Sequence, residues 1–496
     1  MNIEFSAKED AGWRYWVDTG GEGVLGPAGM QRICSLGAKE QFVLVLDGIR
    51  LGQPEEMHVF GSDTDPEQAL TINSILAMED VDLRTPSVTV HRMGSRDQLL
   101  SALKQVVQDR SNVIVVSQSP ADRENDLYRS LYAAASSKRM YVDLNAIEHN
   151  LATFRKYIPE HTKLMFMAKS NAYNLGAPVI TRFLSDKGVH YFGVACVEEA
   201  VELRKCGITL PIMVIEPDQY DLDIIAGYDL EPVVHSTDAI RQLLTSPVQD
   251  ITVQLHLKLN TGMNRLGVNH DEIATAVKLI HSDPRFRIKS LFSNPAAADN
   301  PEQDELTNTQ FSRFDQGMTE VQSLTGYPVS AHILNTSATL RFPEKAMNMV
   351  RIGIGICGMA SGTHELQQAV SVSTYVSLVR KVKKGETVGY GGTVRVDADC
   401  EIAVIPVGYE DGFPRMLSHG VGEVVVKGKK APVVGWVCMD MCMIDVTGLE
   451  VKKGDEVFVV NDVITIMDLA ERLGTIPNEV LTNFSRRVKK IYKYSY

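Results

Sequence analysis

The chain has 496 residues, is 44% apolar and 23% charged, and carries 62 Asp and Glu against 50 Lys and Arg for a net charge of −12. That length holds about two to four domains, and the acidic balance argues against a nucleic-acid partner, which needs a basic footprint. No apolar run reaches the ~18 residues of a membrane span, the charged residues 1–10 do not read as a signal peptide, and 7 scattered cysteines fit a reducing cytoplasm better than a disulfide framework.

Residues 1–138 form a first block, with strands expected at 42–46, 88–91 and 113–117 and helices at 67–78, 96–108 and 123–136. Alternating strands and helices indicate a small α/β layer domain. Residues 140–375 alternate more regularly. Strands are expected at 164–168, 191–194, 212–215, 231–234, 254–259, 288–292, 332–334 and near 349–356, with helices at 198–206, 239–244, 271–281 and 305–324. About eight strand–helix units imply a closed (β/α)8 barrel, with an open doubly wound sheet as the alternative. Residues 376–496 turn β-rich, at 376–381, 400–407, 422–426, 431–446 and 455–460, with helices near 464–473 and 479–484. This pattern indicates a mostly antiparallel β domain.

Chemistry-bearing residues gather in the second and third blocks. Lys169 stands at the end of the apolar run 164–168. In a barrel that position faces the catalytic mouth, and a desolvated lysine there becomes a nucleophilic amine. Gly-x-Gly-x-x-Gly occurs at Gly21/Gly23/Gly26 and at Gly353/Gly355/Gly358. The second copy follows Val350-Arg351, where glycines let backbone N–H groups approach a phosphate. There is no Walker-type ATP loop, and Cys438 and Cys442 read as buried thiols rather than metal ligands.

Lys169 to Tyr173 is followed by Lys258-Leu-Asn-Thr261-Gly-Met263-Asn-Arg265, His332-Ile-Leu-Asn335-Thr336-Ser337 and Arg351-Ile-Gly353-Ile354. Val388-Gly-Tyr390-Gly391, Gly408-Tyr409-Glu-Asp411 and Val437-Cys-Met439-Asp440 come next. Together, in this order and spacing, these segments resemble the alanine racemases, pyridoxal-phosphate enzymes made of a barrel and a β domain. The resemblance runs from about Tyr141 to Tyr492.

It implies an isomerase that interconverts L- and D-alanine, in the service of cell-wall synthesis. Lys169 would form the internal aldimine with pyridoxal 5'-phosphate and act as base on one face of the substrate α-carbon. Tyr390, from the other subunit of a homodimer with shared sites, would act on the opposite face. Arg265 and the Met439 N–H would bind the substrate carboxylate. Tyr173, Thr336, Gly353 and Ile354 would contact the cofactor phosphate, with Thr336 in place of the usual serine. Arg351 would face the pyridine nitrogen, and Lys258 matches a lysine often found carbamylated. The physical reasoning agrees. Inversion needs two bases flanking one carbon, and an arginine that cannot readily protonate the ring favours racemisation over transamination. Alternatives are a racemase of other or broader amino acids, a decarboxylase- or lyase-like relative, and a non-catalytic member of the fold.

Several positions depart from the family pattern. Asn174-Leu175-Gly176 replaces Gly-x-Gly, Asn294 replaces a histidine that normally holds the pyridine-facing arginine, and Asn478 and Cys357 replace tyrosines. These changes are expected to loosen Arg351 and to widen the pocket. Val43-Leu-Val-Leu-Asp47, Leu51 to His58, Gly94 to Leu100 and Asn112 to Val116 are similar to the last domain of the ligase that adds D-alanyl-D-alanine to the cell-wall precursor. The ATP-binding part of such a ligase would be absent, so no ligase activity is expected.

Overall fold

A computed structural model describes residues 136–217, 222–360 and 365–494, together with the backbones of short strands in the first 117 residues. Met1–Ser137 and Lys138–Tyr496 are two compact units. In the first, β1 (Ile3–Ser6), β2 (Arg14–Asp18) and β3 (Met30–Cys34) form one sheet. A second contains β4 (Phe42–Leu46), β5 (Glu56–Gly61), β6 (Ser87–Arg92) and β7 (Asn112–Ser117), in the order β4-β7-β5-β6. The three strands expected there are present. The expected helices at 67–78, 96–108 and 123–136, and the Gly21/Gly23/Gly26 motif, lie outside the described residues.

The second unit opens with β8 (Arg139–Asp143) and the helix Leu144–Tyr157, whose first turn is capped by Asp143. Eight parallel strands follow: β9 (Lys163–Met167), β10 (Tyr191–Val194), β11 (Ile212–Val214), β12 (Leu230–Val234), β13 (Val253–Lys258), β14 (Phe286–Phe292), β15 (Ser330–His332) and β16 (Met349–Ile352). They are short apolar runs with few exposed positions, as strands buried on both faces must be. β16 pairs with β9. The seam between β15 and β16 is closed by Asn348 N–H donating to the Ala331 carbonyl at 3.2 Å and Arg351 N–H donating to the Leu334 carbonyl at 3.0 Å. The result is the expected (β/α)8 barrel. Met165, Tyr191, Met213, Val233, Phe292 and Met349 pack in its interior.

The remaining strands are β17 (Val370–Tyr375), β18 (Leu378–Val382), β19 (Thr387–Val388), β20 (Val394–Arg395), β21 (Cys400–Ile405), β22 (Glu423–Val426), β23 (Lys429–Val434), β24 (Cys442–Asp445), β25 (Glu456–Val460) and β26 (Lys489–Lys493). A mostly antiparallel sheet runs β18-β21-β24-β23-β22-β25-β17-β8-β26. β8 and β17 therefore belong to this sheet, although both fall within the 140–375 block that the pattern groups with the barrel. Hydrogen bonding decided it: β17 runs antiparallel to both β8 and β25. The expected continuous run 431–446 is two strands, because residues 435–441 form the loop that carries Met439. The expected strand to 356 stops at Ile352 and becomes a tight turn at Ile354–Cys357.

Candidate active site

β9 ends at Met167, and the chain then does something costly. Ser170, Asn171, Ala172, Tyr173 and Asn174 all lie in the left-handed region, with φ from 52 to 65°. Each such non-glycine residue is disfavoured by about 1–2 kcal/mol, so the turn persists only because its surroundings over-determine it. Glu199 accepts from the Ser170 N–H at 2.6 Å and from the Ala195 N–H at 2.8 Å. Asn171 accepts from the Ala177 N–H at 2.7 Å. Asn174 donates to the Leu481 and Phe484 carbonyls and accepts from Lys490 Nζ at 3.0 Å. Tyr492 donates to the Leu175 carbonyl at 2.7 Å. The C-terminal tail thus holds the turn that begins at Lys169. Asn174-Leu175-Gly176 is a replacement for Gly-x-Gly that works, since Asn tolerates this conformation and gains partners for it.

The Lys169 ammonium is pushed down from its ordinary value by burial and by the charge of Arg265, with Glu199 opposing. Lys258, nearly sealed in the barrel, is lowered to about 8 by burial and by Arg265 and Arg351, a pull that Glu216 opposes. Four cations thus converge at the C-terminal mouth, with Glu199 and Glu216 as the carboxylates that act on them. Such a field favours an anionic ligand.

Beside them lies a cradle. The Thr336 hydroxyl accepts from the Gly353 N–H at 3.0 Å, and Thr336 opens a short helix whose preceding Asn335 caps the Ala338 N–H at 3.0 Å. A side chain on Gly353 would collide with the Tyr173 phenol, and one on Gly355 would collide with Phe154 and Thr336. Tyr173, Thr336, Gly353 and Ile354 are therefore together, as the resemblance implies. Burial in that wall pushes the Tyr173 phenol up.

Arg351 is buried and heavily bonded. It donates to His332 Nδ1 at 2.9 Å, the Ser293 carbonyl at 2.7 Å, the Ile333 carbonyl at 3.1 Å and Asn294 Oδ1 at 3.2 Å. Burial lowers it to about 9. The expectation that Asn294 would leave Arg351 loose is overturned: the amide oxygen itself accepts from the guanidinium, and four other acceptors, the His332 carbonyl among them, share the load.

Tyr390 and Met439 are on loops of the β domain and stand apart from this cluster. Tyr390 is 73% exposed in a tight turn flanked by Gly389 and Gly391, both at positive φ. Met439 is 51% exposed. Its loop is held by Tyr409 N–H donating to the Cys438 carbonyl and Glu410 N–H donating to the Met439 carbonyl. Asp411 is buried, pairs with Lys138 at 2.9 Å and Arg487 at 3.1 Å, and accepts from the Gly408 N–H at 2.9 Å.

Comparison with known proteins agrees with this geometry. Residues 142–361 match the alanine racemase N-terminal domain and residues 369–492 the alanine racemase C-terminal domain. The chain is 34% identical over 365 residues to alanine racemase 2 of Oceanobacillus iheyensis, covering 71% of this chain and 92% of that protein. The chain belongs to the alanine racemase family. It is also 34% identical over 381 residues to the alanine racemase of Geobacillus stearothermophilus, covering 74% of this chain and 95% of that protein. Among solved structures, the alanine racemase of E. faecalis superposes with a TM-score of 0.67 at 29% identity, over 72% of this chain and 98% of that one. The Bartonella henselae alanine racemase, solved with covalently bound pyridoxal phosphate, gives 0.66 at 26%, over 72% and 100%.

Within the alanine racemase family pattern, Cys357 fills the core rather than opening a mouth, being fully buried with its thiol raised to about 12 by desolvation. Asn478 is half-buried in the helix Pro477–Thr482. Sequence motifs missed the residues that hold the site: Glu199, Tyr492, Lys490, and the barrel interior residues His332, Ser290, His256 and Glu231. A signal for the last group existed. His256 and Glu231 are polar residues inside otherwise apolar strand runs, and His256 shares its strand face with Lys258.

Proposed function

We propose that the protein is a pyridoxal 5'-phosphate-dependent racemase that interconverts L- and D-alanine, acting as a homodimer with shared sites. The observation that carries this is the desolvated amine of Lys169 among Lys258, Arg265 and Arg351, beside the cradle at Gly353. These residues fit the cofactor. The space at Gly353 and Gly355 is closed to any side chain, and the Thr336 hydroxyl, which accepts from the Gly353 N–H, has its own proton to offer a phosphate beside the Ile354 backbone. When bound, the cofactor supplies an electron sink that makes the substrate α-proton acidic.

The chain's own residues do the rest. Lys169 takes or returns a proton on one face, with its amine kept reactive by burial. Tyr390 of a second copy does so on the other face, a role supported by its exposure on a glycine-flanked turn. Arg265 and the Met439 N–H would hold the substrate carboxylate, and Arg351, fixed by His332 and the Ser293 carbonyl, would be the cation facing the cofactor ring. A cytoplasmic location belongs to this reading, supported by the free thiols of Cys196, Cys400 and Cys438. Among the described residues no helix is long and apolar enough to cross a membrane.

Purified protein given the cofactor is expected to show a visible band and to erase the optical activity of L-alanine. Lys169→Ala should lose both. Mixing Lys169→Ala with Tyr390→Phe subunits should restore about one working site per heterodimer; no recovery would overturn the shared site.

A further inference from the structure

A line of buried polar side chains runs down the barrel from the site, and the proposed chemistry does not use it. Arg351 donates to Nδ1 of His332 at 2.9 Å. His332 Nε2 meets the Ser290 hydroxyl at 3.0 Å, that hydroxyl meets His256 Nδ1 at 2.6 Å, and His256 Nε2 meets Glu231 Oε2 at 2.8 Å. His256, Ser290 and His332 are buried, so each must find its partners within the line. Glu231 and Lys289 mark its far end, toward the N-terminal ends of the strands, where the Lys289 side chain is 35% exposed.

The direction of every bond follows from the two ends. Arginine only donates and a carboxylate only accepts. Against its burial, Glu231 is kept ionised by the bonds it accepts from His256, Lys289 and Tyr191. His256 must then donate from Nε2, which leaves Nδ1 bare to accept the Ser290 proton. The Ser290 oxygen accepts from His332 Nε2–H, and the bare Nδ1 of His332 is left for Arg351. With one proton on each ring, the line closes with none missing or spare.

We propose that Glu231, His256 and Ser290 are positioning residues for the site at the barrel mouth: the acceptor-only carboxylate sets the tautomer of His332 and thereby seats the Arg351 guanidinium. The functional consequence rests on Arg351 facing the cofactor ring, as read above; the tautomer relay itself does not.

Glu231→Gln separates this from a merely structural role. Lys289 is donor-only and keeps the amide oxygen, so the amide nitrogen turns toward His256 and the Tyr191 hydroxyl, which can accept its second N–H. His256 must then accept at Nε2, the Ser290 hydroxyl reverses, and His332 carries its proton on Nδ1, N–H against the N–H of Arg351. Adding Lys289→Met frees the amide to turn over and restores the original direction.

The test is the imidazole nitrogen spectrum of cofactor-free protein labelled with 15N-histidine. Unsubstituted protein is expected to show His256 and His332 neutral with the proton on Nε2. Glu231→Gln should invert both, and Glu231→Gln/Lys289→Met should return them. In cofactor-loaded protein the single substitution should shift the visible band and lower kcat about tenfold, with recovery in the double variant. A doubly protonated histidine or an Nδ1 proton in the unsubstituted protein overturns the relay without any variant having to fold. So does a bare His332 Nδ1 in Glu231→Gln. Because the spectra need no cofactor, failure of the relay is distinct from failure of the cofactor reading, which would show as no visible band in unsubstituted protein.

Discussion

Tyr492 occupies the space that a side chain on Gly176 would need, while its hydroxyl donates to the Leu175 carbonyl at 2.7 Å. The last strand of the chain is thereby fastened to the turn that carries Lys169, more than 300 residues earlier in sequence.

Gly176→Ala should therefore damage both stability and the site. The residue sits at φ +98°, and its new methyl would strike the phenol. Overpacking of this kind costs about 1–3 kcal/mol. A lower urea midpoint and weaker cofactor binding are expected together. Tyr492→Phe should cost about 0.5–1.5 kcal/mol for the lost bond, and Tyr492→Ala placed in the Gly176→Ala background should recover part of the alanine's effect.

Gly353→Ala tests the cradle. Its methyl would overlap the Tyr173 phenol oxygen before any other atom. Cofactor affinity, read by titrating the visible band, should fall by tenfold or more, an effect of about 1.4 kcal/mol per decade. Tyr173→Phe in the same chain removes the overlapping atom and should return part of the affinity. A Gly353→Ala protein that binds cofactor normally would exclude the cradle.

Stability should rise with pH because of Lys258. Its folded value is about 8 against an ordinary 10.5. Between those values the unfolded chain holds a proton that the folded one has released, so unfolding free energy climbs with pH, by at most about 1.4 kcal/mol per unit. Below pH 8 the full penalty of the buried ammonium is present; above 10.5 it is gone. Comparing urea midpoints of the protein and its Lys258→Met variant at the two pH values isolates this group. The variant should lack the rise.

Asn294→Ala should matter little. It removes one acceptor at 3.2 Å and leaves Arg351 its bonds to Ser293, Ile333 and His332. A change in kcat within about threefold is expected, since roughly 0.5–1 kcal/mol of hydrogen bonding is lost. A loss of a hundredfold would mean that the amide carries the seating of the arginine alone.

Much of the site was legible along the chain because barrel strands are local. Each is a short apolar run, and whatever follows its C-terminal end stands at the mouth, so Lys169 and the glycines from Gly353 could be marked there, while Thr336 and Arg351 came from the family resemblance. The strands that the pattern did not show, β8 and β17, are those whose place depends on a distant partner: they pair with each other and with β25 and β26.

What the sequence alone determined was the architecture, because hydrophobic period is read within a few residues, and its ordered motifs carried the resemblance that names the candidate reacting groups. What only the tertiary structure decided was how those groups are held. The left-handed turn after Lys169 is stable through Glu199, Lys490 and Tyr492, and Arg351 is seated through His332 by a line that ends on Glu231. Hydrogen bonds between residues far apart in the chain leave no periodic trace, so their partners emerge only when the barrel has closed and the last strand has docked.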